Sequence, residues 1–122
     1  MHLKNRVLII DDESTIRDLL ETWLRKYNFS ADKAENPETA MELISRNEYS
    51  IIVVDFTMPK MNGAELIKGI RKLHRKAEII GISASPCVKD LFYKAGANHF
   101  VEKPFNFGKL TSIIRSIHLV DE

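Results

Sequence analysis

An α/β fold, with helices on both faces of a parallel sheet, is predicted by three observations. Short apolar runs alternate with amphipathic stretches five times along the 122 residues, and strand–helix alternation of this kind builds parallel sheets. Two of the runs, Val7-Leu8-Ile9-Ile10 and Ile51-Ile52-Val53-Val54, contain no polar residue, as strands buried on both faces require. Each of these two runs ends in an acid, Asp11 and Asp55, at the sheet edge where open α/β folds build their sites.

Composition narrows the classes further. A length of 122 residues fits one domain, residues 1–122. The 18 Lys and Arg balance 17 Asp and Glu, a net charge of +1 that argues against a polycation binding nucleic acid through bulk charge. Apolar residues at 44% and charged residues at 29% are ordinary globular usage. No apolar run approaches the roughly 20 residues needed to cross a bilayer. The basic start, Met1-His2-Leu3-Lys4-Asn5-Arg6, leads into an apolar run that meets Asp11-Asp12 too soon for a signal-peptide core. One cysteine, Cys87, can form neither an intrachain disulfide nor a zinc cluster. The expected location is cytoplasmic, with no membrane partner.

The elements follow in order. Arg6-Val7-Leu8-Ile9-Ile10 reads as a buried strand, and Ile16, Leu19, Leu20, Trp23 and Leu24 then recur at helical spacing. Residues 30–34 form a weak strand, interrupted by Asp32 and Lys33 and best placed at an edge. Asn36-Pro37 starts a helix, Asn as cap and Pro in the first turn, with Ala40, Leu43 and Ile44 as its apolar face. Ile51-Ile52-Val53-Val54 is the strongest strand signal. Pro59 and Asn62-Gly63 mark a loop, followed by a helical stripe of Ala64, Leu66, Ile67, Ile70 and Leu73. Residues 78–82 form a strand, and Val88, Leu91 and Phe92 a short helix ended by Gly96. Phe100-Val101 is a short strand. Asn106 caps a closing helix that carries Phe107, Leu110, Ile113, Ile114 and Ile117.

The strand ends gather chemistry. The first supplies Asp11, Asp12 and Glu13, the third Asp55, the fourth Ser83 and the fifth Lys103. Clustered carboxylates raise one another's pKa unless a cation sits among them. Mg²⁺ suits such a site, taking few carboxylates together with water and phosphate oxygens. A carboxylate can also be a nucleophile that forms an acyl phosphate. Lys103 can then place a point charge, and Ser83 a donor, on the moving phosphoryl group. Taken singly, an acidic pair is often a helix cap and Lys-Pro is uninformative. The joint occurrence, one group per strand end, carries the reading.

With these residues in place, the chain resembles the receiver domain of bacterial two-component response regulators, over about residues 6–117. The matching stretches are Val7-Leu8-Ile9-Ile10-Asp11-Asp12-Glu13, Val53-Val54-Asp55-Phe56-Thr57-Met58-Pro59 with Met61-Asn62-Gly63, Lys94-Ala95-Gly96-Ala97, and Lys103-Pro104-Phe105. The resemblance implies a three-layer flavodoxin-like (βα)5 fold whose five-stranded parallel sheet has the order 2-1-3-4-5. It implies that Asp55 accepts a phosphoryl group from a histidine kinase or histidine phosphotransfer protein. It makes Asp11, Asp12, Asp55 and the Thr57 backbone carbonyl the Mg²⁺ ligands, with Asp11 acting through water. It makes Ser83 the switch hydroxyl, Phe100 the switch aromatic that moves inward, and Lys103 the phosphate-binding lysine, its bond to Pro104 cis. The implied activity is a self-phosphorylating switch without metabolite turnover, acting on a downstream protein or a fused output domain, with no direct nucleic-acid binding by this domain.

Two departures from the family pattern stand out. Residues 83–96 are short and contain Ser85-Pro86, so the fourth helix is expected to be short, displaced or frayed, and this segment to be the most mobile part of the fold. Asp32 stands where an apolar strand residue is common and is expected to weaken the second strand. Trp23, Phe105 and Phe107 read as packing residues, with Phe105 near the partner surface. His2, His74, His99 and His118 read as surface residues, and Cys87 as an inert loop thiol. Arg71, Lys72, Arg75 and Lys76 read as a solvated face that complements the helix dipole. A phosphohydrolase of the haloacid dehalogenase type also uses an Asp after an apolar strand, but it gives Asp11-Asp12 no role and needs a cap segment. A degenerate receiver that keeps only the fold would have lost some of the acids, the hydroxyl or the lysine.

Overall fold

The computed structural model describes residues 6–74 and 76–121, the last four through their backbone. His2, Arg75 and the side chain of His118 lie outside the described residues. The elements are β1 (Arg6–Ile10), α1 (Ser14–Arg25), β2 (Ser30–Ala34), α2 (Pro37–Arg46), β3 (Ile51–Asp55), α3 (Gly63–Leu73), β4 (Glu78–Ser83), α4 (Lys89–Ala95), β5 (His99–Glu102) and α5 (Phe107–Asp121), with a 3-10 turn, Pro86–Val88, leading into α4. The strands pair in parallel in the order β2-β1-β3-β4-β5. The expected order and the three layers are both present.

Period-two alternation within buried strands divides the core. Leu8, Ile10, Ile52 and Val54 face the layer of α2, α3 and α4, where they meet Ala40, Ile44, Leu66, Ile67, Ile70 and Phe92. Val7, Ile9, Val53, Ile80 and Ile82 face α1 and α5, against Leu20, Leu24, Leu110, Ile113 and Ile114. Caps fix the helix starts. Asn36 accepts from the Thr39 amide at 2.8 Å, and Asn106 from the Lys109 amide at 3.1 Å. Asn62 and Glu65 form a reciprocal capping box at the start of α3. Trp23 packs on Tyr27 and Phe107, with ring centroids 5.1 and 5.6 Å away, as a packing residue should.

Several expectations need correction. Asp32 does not simply weaken β2: it pairs with Arg6 at 2.8 Å and accepts from the Tyr49 hydroxyl at 2.7 Å, tying β1, β2 and the approach to β3 together. Arg71 is not part of a solvated face. It is half-buried and donates to the carbonyls of Gly96, His74 and Ala77 and to the Asn98 side chain. His74 and His99 are partly buried with partners, the Ile44 carbonyl at 2.9 Å and Glu78 at 3.0 Å. Leu19, Leu73 and Leu91, placed on apolar faces by spacing, are 43%, 56% and 50% exposed. In α4, Phe92 is buried as expected, together with Ala95.

One backbone position carries strain that a substitution can relieve. Lys60, in the loop after β3, adopts φ 74° in the left-handed region, where a Cβ crowds the backbone. Its pairing with Glu38 is exposed at both ends and offsets little of that cost. Asn tolerates the conformation, so Lys60→Asn is expected to raise stability by about 0.5–1 kcal/mol in urea denaturation. A loss of stability would mean that the ion pair outweighs the strain.

Candidate functional site

The carboxyl ends of β1, β3, β4 and β5 converge at one edge of the sheet. Asp55 is the last residue of β3, in register with Ile82 of β4, and Ser83 follows directly. Ser83 is in register with Glu102, and its carbonyl accepts from the Lys103 amide at 2.8 Å, which sets where the lysine leaves β5. The Lys103-Pro104 bond is cis, as expected. Asp11 follows β1, its amide donating to the Ala34 carbonyl at 3.1 Å.

The side chains meet as the sequence predicts. Asp11, Asp12 and Asp55 each place a carboxylate oxygen within 4.8 Å of the others. Asp11 and Asp55 are buried, at 0% and 4% exposure, while Asp12 is exposed. The Lys103 ammonium reaches into this group, 3.2 Å from Asp55 Oδ1 and 3.2 Å from Asp11 Oδ2. Asp11 Oδ1 accepts from the Glu13 amide at 3.0 Å. Its Oδ2 touches Lys103 only as an ion pair and is a buried oxygen with no hydrogen-bond partner.

The electrostatics follow from burial and like charge. Burial, reinforced by the Asp11 carboxylate, pushes Asp55 from its ordinary 3.8 up to about 6, against the pull of Lys103. Burial likewise raises Asp11, outweighing the Glu13 amide and Lys103. Burial lowers the Lys103 ammonium, but Asp55 and Asp11 together outweigh it and the net shift is upward. The site holds excess negative charge in a desolvated place. An all-oxygen donor set of three carboxylates, whose charge one ammonium does not neutralise, fits a hard divalent cation such as Mg²⁺.

The other expected residues lie around this centre. Ser83 is 4% exposed, and its Oγ accepts from the Ser85 amide at 3.1 Å. Thr57 is exposed in the loop after Asp55. Phe100 is 4% exposed, its ring 5.9 Å from that of Phe92. Two contributors had no assigned role in the sequence reading. Glu13 lies 3.5 Å from the Lys103 ammonium. The Arg17 guanidinium donates to the Asp11 carbonyl at 2.8 Å. Glu13 stands out in the sequence as the third acid of its run, though nothing there gives it a role. Arg17 sends no signal of its own, because spacing alone puts it on an ordinary helix surface.

Residues 7–115 match the family described as the response regulator receiver domain. A curated relative, the transcriptional regulatory protein SrrA of Staphylococcus aureus, is 32% identical over 106 residues, covering 85% of this chain and 44% of that protein. The chain therefore spans less than half the length of the curated relatives it matches. Among solved structures, the response regulator TrrA of Thermotoga maritima in complex with Mg(2+)-BeF is 34% identical, with a TM-score of 0.84 over 93% of this chain and 98% of that one. The receiver domain of the Francisella response regulator 1452 is 27% identical, with a TM-score of 0.86 over 98% and 100%. No helix among the described residues is long and apolar enough to cross a membrane. With its sheet order, its converging acids and lysine, and a family match over nearly its whole length, the chain belongs to the response regulator receiver domain family, the aspartate-phosphorylated switches of two-component signalling.

Proposed function

We propose that Asp55 is the phosphoacceptor of this switch. The observation that carries the reading is the Lys103 ammonium, 3.2 Å from both Asp55 and Asp11, so that one cation bridges the ends of three strands. A carboxylate oxygen of Asp55 attacks phosphorus, an O–P bond forms, and the N–P bond of a phosphohistidine donor breaks with imidazole as the leaving group. That donor is a histidine kinase or a histidine phosphotransfer protein. Asp12, Asp55 and the Thr57 carbonyl would hold Mg²⁺, with Asp11 acting through water, and the ion when bound neutralises charge on the phosphoryl oxygens. Lys103 holds a further phosphoryl oxygen. Because Ser83 Oγ accepts from Ser85, its own proton is its donor, suited to a phosphoryl oxygen. Phe100 transmits the change from a buried position. The chain acts as one cytoplasmic domain, without metabolite turnover, and its output passes to a downstream protein or a fused output domain.

Incubation with acetyl phosphate or phosphoramidate and Mg²⁺ is expected to add one phosphoryl group, mapped to Asp55 by mass spectrometry. Labelling that persists unchanged in Asp55→Ala would sink the assignment.

A further inference from the structure

We infer that Arg17 is a positioning residue for the divalent-cation site, holding the peptide plane that joins Asp11 to Asp12. The inference rests on the metal reading above. The Arg17 guanidinium donates through Nη1 to the Asp11 carbonyl at 2.8 Å, across six residues of chain. That carbonyl belongs to the planar unit running from the Asp11 Cα to the Asp12 Cα. Fixing its oxygen fixes the relative orientation of both residues that carry the first strand's carboxylates. Arg17 is itself anchored: its amide donates to the Glu13 carbonyl at 3.1 Å in the first turn of α1, and its side chain is half-buried.

The rest of the Asp11 backbone is pinned from the other side, by the hydrogen bond its amide donates to the Ala34 carbonyl of β2. Between them, β2 and α1 hold the acidic loop at both of its first peptide groups. The loop needs such holding because Asp11, Asp12 and Asp55 repel one another within 4.8 Å. Without a clamp on the Asp11–Asp12 peptide, the exposed Asp12 can turn out to solvent and relieve that repulsion. A preformed donor set avoids the cost of reassembling the loop around each ion, which is why groups that orient metal ligands strongly affect affinity.

Arg17 also brings a positive charge, and positioning and charge make opposite predictions. If charge dominated, removing it would tighten Mg²⁺ binding. If positioning dominates, removing it weakens binding. The test is Mg²⁺ titration followed by amide chemical shifts, with wild type, Arg17→Ala and Arg17→Lys, alongside thermal unfolding in EDTA. Arg17→Ala is expected to bind Mg²⁺ about tenfold more weakly or worse. Arg17→Lys, which keeps a donor on a long stem, is expected to recover part of that loss. Unchanged or tighter binding in Arg17→Ala overturns the inference, whatever its unfolding temperature. If Arg17→Ala does not fold, Arg17→Met, which keeps the apolar stem and removes the donor, decides: affinity equal to or tighter than wild type overturns the role, and weaker binding supports it. A wild type that gives no Mg²⁺ response overturns the metal site itself and this role with it, whereas a wild type that binds beside an unaffected variant overturns only Arg17.

Discussion

Replacing Asp55 with Asn is expected to make the metal-free protein more stable at pH 8, by about 3 kcal/mol. The native carboxylate titrates at about 6 instead of its ordinary 3.8, chiefly because it is buried and secondly because Asp11 is charged beside it. A raised acid binds its proton more tightly in the folded state than in the unfolded one. Its contribution is therefore fully present below the unfolded value and is lost as pH rises through about 4 to 6. A shift of that size corresponds to about 3 kcal/mol at 1.36 kcal/mol per unit. Asn resembles the neutral acid and escapes the loss, so the variant should gain little at pH 4 and most of the difference by pH 8. Asp11 is shifted in the same direction and adds to the pH dependence that remains. Lys103 is raised, so its contribution stays in place until the pH passes its ordinary 10.5, and it does not obscure the window. Urea denaturation in EDTA between pH 4 and pH 8 measures the effect. Saturating Mg²⁺ should narrow the gap, because it binds the wild-type folded state preferentially. An Asn variant no more stable than wild type at pH 8 would show that the Asp55 charge is well accommodated without a cation.

The strands, their order and the residues at their carboxyl ends were legible because they rest on strong local signals. Uninterrupted runs such as Ile51-Ile52-Val53-Val54 can be buried only on both faces, and an acid that ends such a run must stand at the sheet edge. Periodicity failed at the margins of helical stripes. Leu91 has the right spacing for burial, yet in a helix of seven residues the direction of the core is set by Phe92, one position on. Long-range polar pairs were not legible at all. Arg6 with Asp32, Arg71 with Gly96 and Arg17 with Asp11 depend on how elements dock, and a charged residue in the sequence reads as solvated until its partner is known. The packing of Phe100 was hidden for the same reason, since it depends on the ring of Phe92.

That ring is where the second large effect is expected. Phe92→Ala should cost about 3–5 kcal/mol, the range for removing a fully buried aromatic side chain. Phe92 is 0% exposed, and α4 otherwise buries only Ala95. The ring lies against Gly81 of β4, where an added Cβ would meet it at 2.7 Å. It also packs edge-on to Phe56, beside Asp55, with centroids 5.6 Å apart, and against Phe100 at 5.9 Å. Gly81 and Phe92 thus share one space, a missing side chain on the strand and a large one on the helix. Gly81→Val alone should overpack that space at a cost of about 1–3 kcal/mol, because the ring is held on two further sides. In Phe92→Ala/Gly81→Val the new side chain fills part of the cavity, and Val suits a buried strand better than Gly. The double variant should therefore be more stable than the sum of the two losses predicts, with a coupling of 0.5 kcal/mol or more in the range of contacting residues. It should not restore α4, which would still lack its anchor on the sheet. Hydrogen exchange in residues 89–95 should accelerate in Phe92→Ala and stay fast in the double variant, while β3 remains protected. Strict additivity of the two substitutions, or wild-type protection of α4 without the ring, would mean that this short helix is held by something other than Phe92.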